Sequence, residues 1–169
     1  MISLHKLVPP ENRDLFDRVP ELNRIWEAPA LQAQARESYE EWDSRNYPEE
    51  SSGEIFTILE DDKTIGIIGW FEYGDILDTM RLRYYGIVPS HRGEGRASTA
   101  MELFLEHLAR AAPPQYAYIS ESVSINRPVA DKIIDHFQKL GFVRFDDPNY
   151  GENAECGPTI SLRTRIPGR

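Results

Sequence analysis

The sequence predicts an α/β fold, a central mixed sheet of about six or seven strands with helices on its faces. Three observations carry that expectation. Residues 54–73 hold two β-branched and aromatic runs on either side of the polar tetrad 61–64, which reads as a hairpin. Apolar residues recur at helical spacing twice, as Ala97, Met101, Phe104, Leu105 and Leu108, and as Val129, Ile133, Ile134, Phe137 and Leu140. Between and after those helices lie extended stretches, so strand and helix alternate along most of the chain.

In chain order, the first 50 residues are polar with scattered aromatic residues, and 29–50 has helical composition ending near Asn46. The hairpin follows. A third apolar stretch, 80–89, ends at Pro89, which lacks a ladder N–H and restricts Val88 to extended geometry. The helix that starts near Ala97 runs until the "APP" of 112–114. Residues 116–123 form a strand. Asn126 then reads as a helix N-cap, with Pro128 in the first turn and Gly141 as the left-handed stop after Leu140. "FVRF" and "PTISLRTRI" complete the sheet. At 169 residues a single domain over 1–169 is expected, with a helical segment at 1–50 and a core at 54–166.

Composition narrows the partners. A net charge of −9 disfavours a nucleic-acid ligand and suits a cationic small molecule or basic peptide. No apolar run of membrane-spanning length occurs, and the N-terminus lacks a secretory pattern, so the expectation is a cytoplasmic protein without a membrane partner. The one cysteine, Cys156, has no partner in the chain, and no Cys or His cluster has zinc spacing, so no metal is expected.

The segment "IVPSHRGEGRAS", 87–98, concentrates the chemistry. A strand running through Pro89 into Gly93 and Gly95 and then a helix presents bare N–H groups and the positive end of a helix dipole to an anion. Arg92 and Arg96 add charge suited to phosphate oxygens. A Walker loop is excluded, because no Gly-Lys-Ser/Thr ends the segment, and a dinucleotide fingerprint is met only as Gly93, Gly95 and Ser98.

The run Ile87-x-Pro89-x-x-Arg92-Gly93-x-Gly95-x-Ala97 resembles the acyl-CoA-binding motif of the GNAT superfamily of N-acetyltransferases. "ESVSIN", 121–126, and "QKLGF", 138–142, follow at a compatible distance. The resemblance implies acetyl-CoA as acyl donor and an amine-bearing small molecule or peptide as acceptor. It implies a strand ending at Ile87 and Val88 that splays from the next one and pairs with the pantetheine arm, with the N–H of Val88 as oxyanion donor. Pyrophosphate would sit on Arg92, Gly93, Glu94, Gly95, Arg96, Ala97 and the neighbouring Ser98, and Asn126 would bond the cofactor. Glu121 is the first candidate for general base and Glu72 the second. The tyrosine acid of some members is replaced by Phe137, which leaves Tyr150 or water, and Arg81 stands where others carry a glutamate. A degenerate acyl-CoA sensor or scaffold is the alternative, and a dimer through the C-terminal strands is common in such folds. His91 and His136 read as surface residues. Trp26, Tyr39, Trp42 and Tyr47, interleaved with Glu37, Glu40, Glu41 and Asp43, read as a packed helix face beside a solvated acidic one.

Overall fold

The computed structural model describes residues 1–8, 10–45, 53–72, 76–148 and 157–169, with backbone alone for 41–45. The elements are β1 (Ile2–Lys6), α1 (Leu15–Arg18), a 3-10 turn (Pro20–Ile25), α2 (Pro29–Arg45), β2 (Gly53–Glu60), β3 (Lys63–Phe71), β4 (Thr79–Ile87), a second 3-10 turn (Pro89–His91), α3 (Arg96–Ala111), β5 (Tyr118–Ser124), α4 (Ala130–Lys139), β6 (Val143–Arg144) and β7 (Thr159–Arg165). The seven strands join one mixed sheet in the order β1-β2-β3-β4-β5-β7-β6. Contacts cluster in two compact units, one of 1–71 with 83–104 and one of 72–82 with 105–169.

In the first unit the hairpin forms as expected. Asp61 and Asp62 both take left-handed backbone, φ 48° and 67°, the conformation a tight turn between right-twisted strands requires. Ile65, Ile67 and Ile68 of β3 are fully buried, so this strand lacks the polar alternation of a solvated face. They share a core with Leu22, Ile55, Ile58, Met101 and Phe104. The expectation of a helical segment over 1–50 is corrected at its start: Ile2–Lys6 is a strand, antiparallel to β2 from Ile2↔Glu60 to Lys6↔Phe56. The alternation of Ile2 and Leu4 was too short to stand out against the polar residues that follow.

In the second unit β4 and β5 pair in parallel over Thr79↔Tyr118, Met80↔Ile119 and Arg81↔Ser120. β5 pairs with β7 along its whole length, from Tyr118↔Arg165 to Ser124↔Thr159. Gly141 has φ 85°, and the Phe142 N–H donates to the Phe137 carbonyl at 3.0 Å, which is the glycine helix stop expected from sequence. The helix start differs. Val129 caps α4 without a side-chain bond, so Asn126 is not its N-cap and Pro128 precedes the helix.

Candidate active site

The first unit contains the glycine loop between β4 and α3. After β4, Val88 continues in extended geometry, φ −57° and ψ 143°, into the Pro89–His91 turn. Gly93, Glu94 and Gly95 then take φ 93°, 54° and 73° before α3 begins at Arg96. A Cβ placed on Gly93 or Gly95 would meet nothing within 4 Å. These glycines therefore answer to backbone conformation alone, and open space faces them. The Arg96 N–H donates to Gly93 O at 3.3 Å and the Thr99 N–H to Gly95 O at 2.9 Å. Between them, the N–H groups of Ala97 and Ser98 have no backbone acceptor among the described residues. That is the donor set an anion needs at a helix start. The Tyr85 hydroxyl donates to the Ala97 carbonyl at 2.7 Å and holds the helix start to β4. Burial pushes its phenol pKa well up, so it remains a donor.

The two loop arginines are already engaged. Arg92 donates to the carbonyls of Ile87 at 3.0 Å and Ile25 at 2.6 Å. Arg96 sits between Glu60 at 2.8 Å and Glu94 at 3.0 Å, and the hydrogen bond to Glu60 raises its pKa further. Both rigidify the loop, so the backbone N–H groups are the groups left facing an anion. His91 lies beside them, its Nδ1 3.0 Å from Ser90 Oγ, and Lys63 Nζ donates to its Nε2 at 3.4 Å.

One donor implied by the resemblance is taken. The Val88 N–H donates to Ile65 O of β3 at 2.8 Å and is closed to an oxyanion. Strand alternation then turns the N–H of Ile87 to the opposite edge of β4.

Upstream on β4, Tyr84 has φ 56°, a conformation that costs a non-glycine residue roughly 1–2 kcal/mol. The break in alternation lets neighbours share a partner: Arg83 Nη1 and the Tyr84 hydroxyl both lie 2.9 Å from Ser38 Oγ of α2. Tyr84 is buried among rings, edge-on to Tyr39 at 5.8 Å, Phe71 at 6.0 Å and Trp26 at 6.5 Å. Tyr39 is buried and donates to Asn12 O at 2.6 Å. Trp26 and Tyr39 thus pack, while Tyr47 and the side chains of Trp42, Glu41 and Asp43 lie outside the described residues. Glu40 accepts from Arg36 at 2.7 Å. Arg83, Tyr84 and Tyr85 carry no sequence signal, because 80–87 shows only ordinary strand composition, and Ser38 is one polar residue among many in α2.

The second unit contains the remaining candidates. Glu121 is half-buried, its Oε1 accepting the Ser122 N–H at 2.9 Å. Asn126 is exposed in the turn after β5, and its Nδ2 would lie 3.4 Å from a Cβ on Gly157. Glu72 is exposed and accepts from Tyr116, whose phenol pKa is raised first by burial and then by that bond. Tyr150 lies outside the described residues. Phe137 is buried against Phe142, ring centroids 4.9 Å apart. Its neighbour His136 is half-buried rather than a surface residue, and burial lowers its pKa. Arg81, at the position where a glutamate would stand, is ion-paired to Asp147 with side-chain exposures of 7% and 0%. Arg81 also donates to Ser122 Oγ at 3.2 Å, and Ser122 bonds Ser161 at 2.9 Å.

Among the described residues no helix is long and apolar enough to cross a membrane, and no group of His, Cys, Asp and Glu is placed to hold a metal. No curated protein sequence matches the chain. The model of the acetyltransferase (GNAT) family matches residues 19–142. Among solved structures, a Desulfovibrio desulfuricans protein assigned to the GNAT family superposes with a TM-score of 0.72 at 15% identity, covering 98% of this chain and 99% of its own. Spermidine N-acetyltransferase from Vibrio cholerae, in complex with CoA and spermine, gives 0.62 at 16% identity over 98% and 95%. A GNAT-family acetyltransferase from Elizabethkingia anophelis with acetyl-CoA bound gives 0.61 at 14% identity over 98% of both chains. With a family match over most of its length and a shared fold, the chain belongs to the acetyltransferase (GNAT) family and is by that membership an N-acetyltransferase.

Proposed function

We propose that the protein, as a single domain over 1–169, transfers the acetyl group of acetyl-CoA directly to a primary amine of a small molecule or peptide. The observation that carries this reading is the loop between β4 and α3, where Ala97 and Ser98 leave backbone N–H groups unclaimed beside open space over Gly93 and Gly95. Pyrophosphate binds there, and the pantetheine arm runs back along β4 past Val88 and Ile87, taking the outward N–H of Ile87 as an added strand would. Solved neighbours with CoA and acetyl-CoA bound support the donor.

In the transfer, the amine nitrogen attacks the thioester carbonyl carbon. A C–N bond forms, the C–S bond breaks, and the CoA thiolate leaves and takes up a proton. An alkyl amine has a reference pKa of about 10.4, so its proton must pass to a base or water. Glu121 is that base, with Glu72 second, and Asn126, freed from capping α4, bonds the cofactor. Phe137 offers no proton to the leaving thiolate, and a thiol with a pKa of about 8.5 leaves without an acid.

Thiol release from acetyl-CoA with a broad amine panel tests the reading, and no turnover above buffer would sink it. Glu121→Gln is expected to lower kcat by about a hundredfold or more with unchanged CoA binding. Full activity in that variant would remove Glu121 from the mechanism. Arg81 in an ion pair and Phe137 in an apolar contact favour a second reading, an acyl-CoA sensor or scaffold. It predicts tight CoA binding, no thiol release and indifference to Glu121→Gln. A cytoplasmic location and a dimer through the C-terminal strands belong to the same proposal, and sedimentation tests the dimer.

A further inference from the structure

Arg83 stands apart among the partly buried cations of the first unit. Arg96 has Glu60 and Glu94, and Arg36 has Asp17 and Glu40. Arg83 is half-buried, and its partners are the Ser38 hydroxyl at 2.9 Å and the face of Phe71, 5.3 Å from its guanidinium carbon. Among the described residues no carboxylate lies within ion-pair distance of it. A guanidinium has five N–H donors in a planar fork, and Ser38 uses one. Withdrawing such a group from water without a counter-charge is unfavourable, so the fold is spending stability to keep a fork aimed and open. The left-handed backbone at Tyr84 contributes to the same arrangement, because it lets Arg83 and Tyr84 share Ser38.

Its position on β4 gives that fork a role. With pyrophosphate at 92–98 and the arm passing Val88 and then Ile87, the thioester end points toward the middle of β4, where Tyr84 and Arg83 stand. We propose that Arg83 binds the carboxylate of the acceptor, so that the substrate is an amine that also carries a carboxylate, an amino acid or a compound of that type. This rests on the acetyl-transfer reading above. The net charge of −9 favours the approach of the amino end of such a molecule, and Arg83 orients the other end. The rings of Phe71, Tyr84 and Trp26 suit an apolar or aromatic body between the two.

The test compares amino acids with their own amides, and with diamines of matched length, by two readouts: thiol release from acetyl-CoA, and calorimetric binding of the acceptor to the CoA-loaded protein. The expected result is a preference for the acid over its amide of about tenfold to a hundredfold, the effect of one hydrogen-bonded charge pair. Arg83→Met, which retains the stem over Phe71, should bring the acid-to-amide ratio close to one through KM, and Arg83→Lys should recover part of it. Urea unfolding of each variant confirms that it is folded. Equal use of acid and amide by the unaltered protein, or an unchanged ratio in Arg83→Met, overturns the proposal and leaves acetyl transfer standing. Preferential binding of the acid without turnover of any amine upholds the proposal and overturns acetyl transfer instead. A preference for phosphoethanolamine over β-alanine overturns the carboxylate in favour of a phosphate.

Discussion

Arg81 and Arg83 stand two residues apart on β4, and each is held in its own compact unit by a different kind of partner. Asp147, with no exposed side-chain surface, pairs with Arg81, and Ser122 takes another of its N–H groups. Arg83 meets a hydroxyl and a ring. The first guanidinium is neutralised inside the fold and serves structure. The second keeps most of its hydrogen-bonding capacity and its charge, which a ligand can use. The counter-charge, rather than the residue type or its place in the strand, decides which arginine is available for binding.

Asp147→Ala is the largest expected effect on stability, since it strands the Arg81 guanidinium in a buried position. A loss of about 3–5 kcal/mol in urea unfolding is expected. The paired change Arg81→Met with Asp147→Leu should restore much of it, because a buried pair replaced by apolar groups is often neutral. A loss in Asp147→Ala too small to measure would break the contrast between the two arginines.

On the other side of the comparison, Ser38→Ala removes one oxygen that holds both Arg83 and Tyr84. About 1 kcal/mol of stability should go with it, and KM for a carboxylate-bearing acceptor should rise several-fold while CoA affinity holds. A KM that does not move would mean that Arg83 needs no hydroxyl to be oriented.

Gly95→Ala separates the proposed CoA site from the proposed acceptor site at Arg83. At φ 73° with no atom near the added Cβ, the substitution meets backbone strain alone, on the order of 1 kcal/mol. CoA binding, measured by calorimetry, should weaken, and the acid-to-amide ratio set by Arg83 should stay as it is.

The smallest effect belongs to His136, a partly buried group in the same unit as Arg81 whose charged form burial disfavours. Its folded pKa lies below the unfolded value of about 6.5, so the unfolded chain binds the proton more readily. Stability should be complete above that value and should fall as pH drops through it toward the folded pKa. Thermal melts in that window should show a shallow slope that His136→Gln flattens, and an unchanged slope would assign it to other groups.

Much of the fold was legible because its signals are local. Asp61 and Asp62 between β-branched runs specify a turn, Pro89 ends a strand, and Gly141 after an apolar helical face ends a helix, each through its own backbone geometry. β1 was missed because five residues with two apolar positions are too few to show a period. The start of α4 was misplaced because Asn126 and Pro128 make a plausible helix entry, while the chain uses 125–129 as a turn instead. The glycine loop between β4 and α3 was legible from its composition, while the hold of Glu60 on Arg96 and of the Ile25 carbonyl on Arg92 was not.

The alternation of strand and helix, the hairpin, and the glycine loop at the head of α3 follow from local sequence, because periodicity and glycine chemistry act over a few residues. That Val88 gives its N–H to Ile65, that Asp147 neutralises Arg81, and that Ser38 holds Arg83 without neutralising it are outcomes of the folded chain. Those outcomes depend on which groups meet across long stretches of chain, and a charge or an N–H is spent or left open according to the partner it meets there.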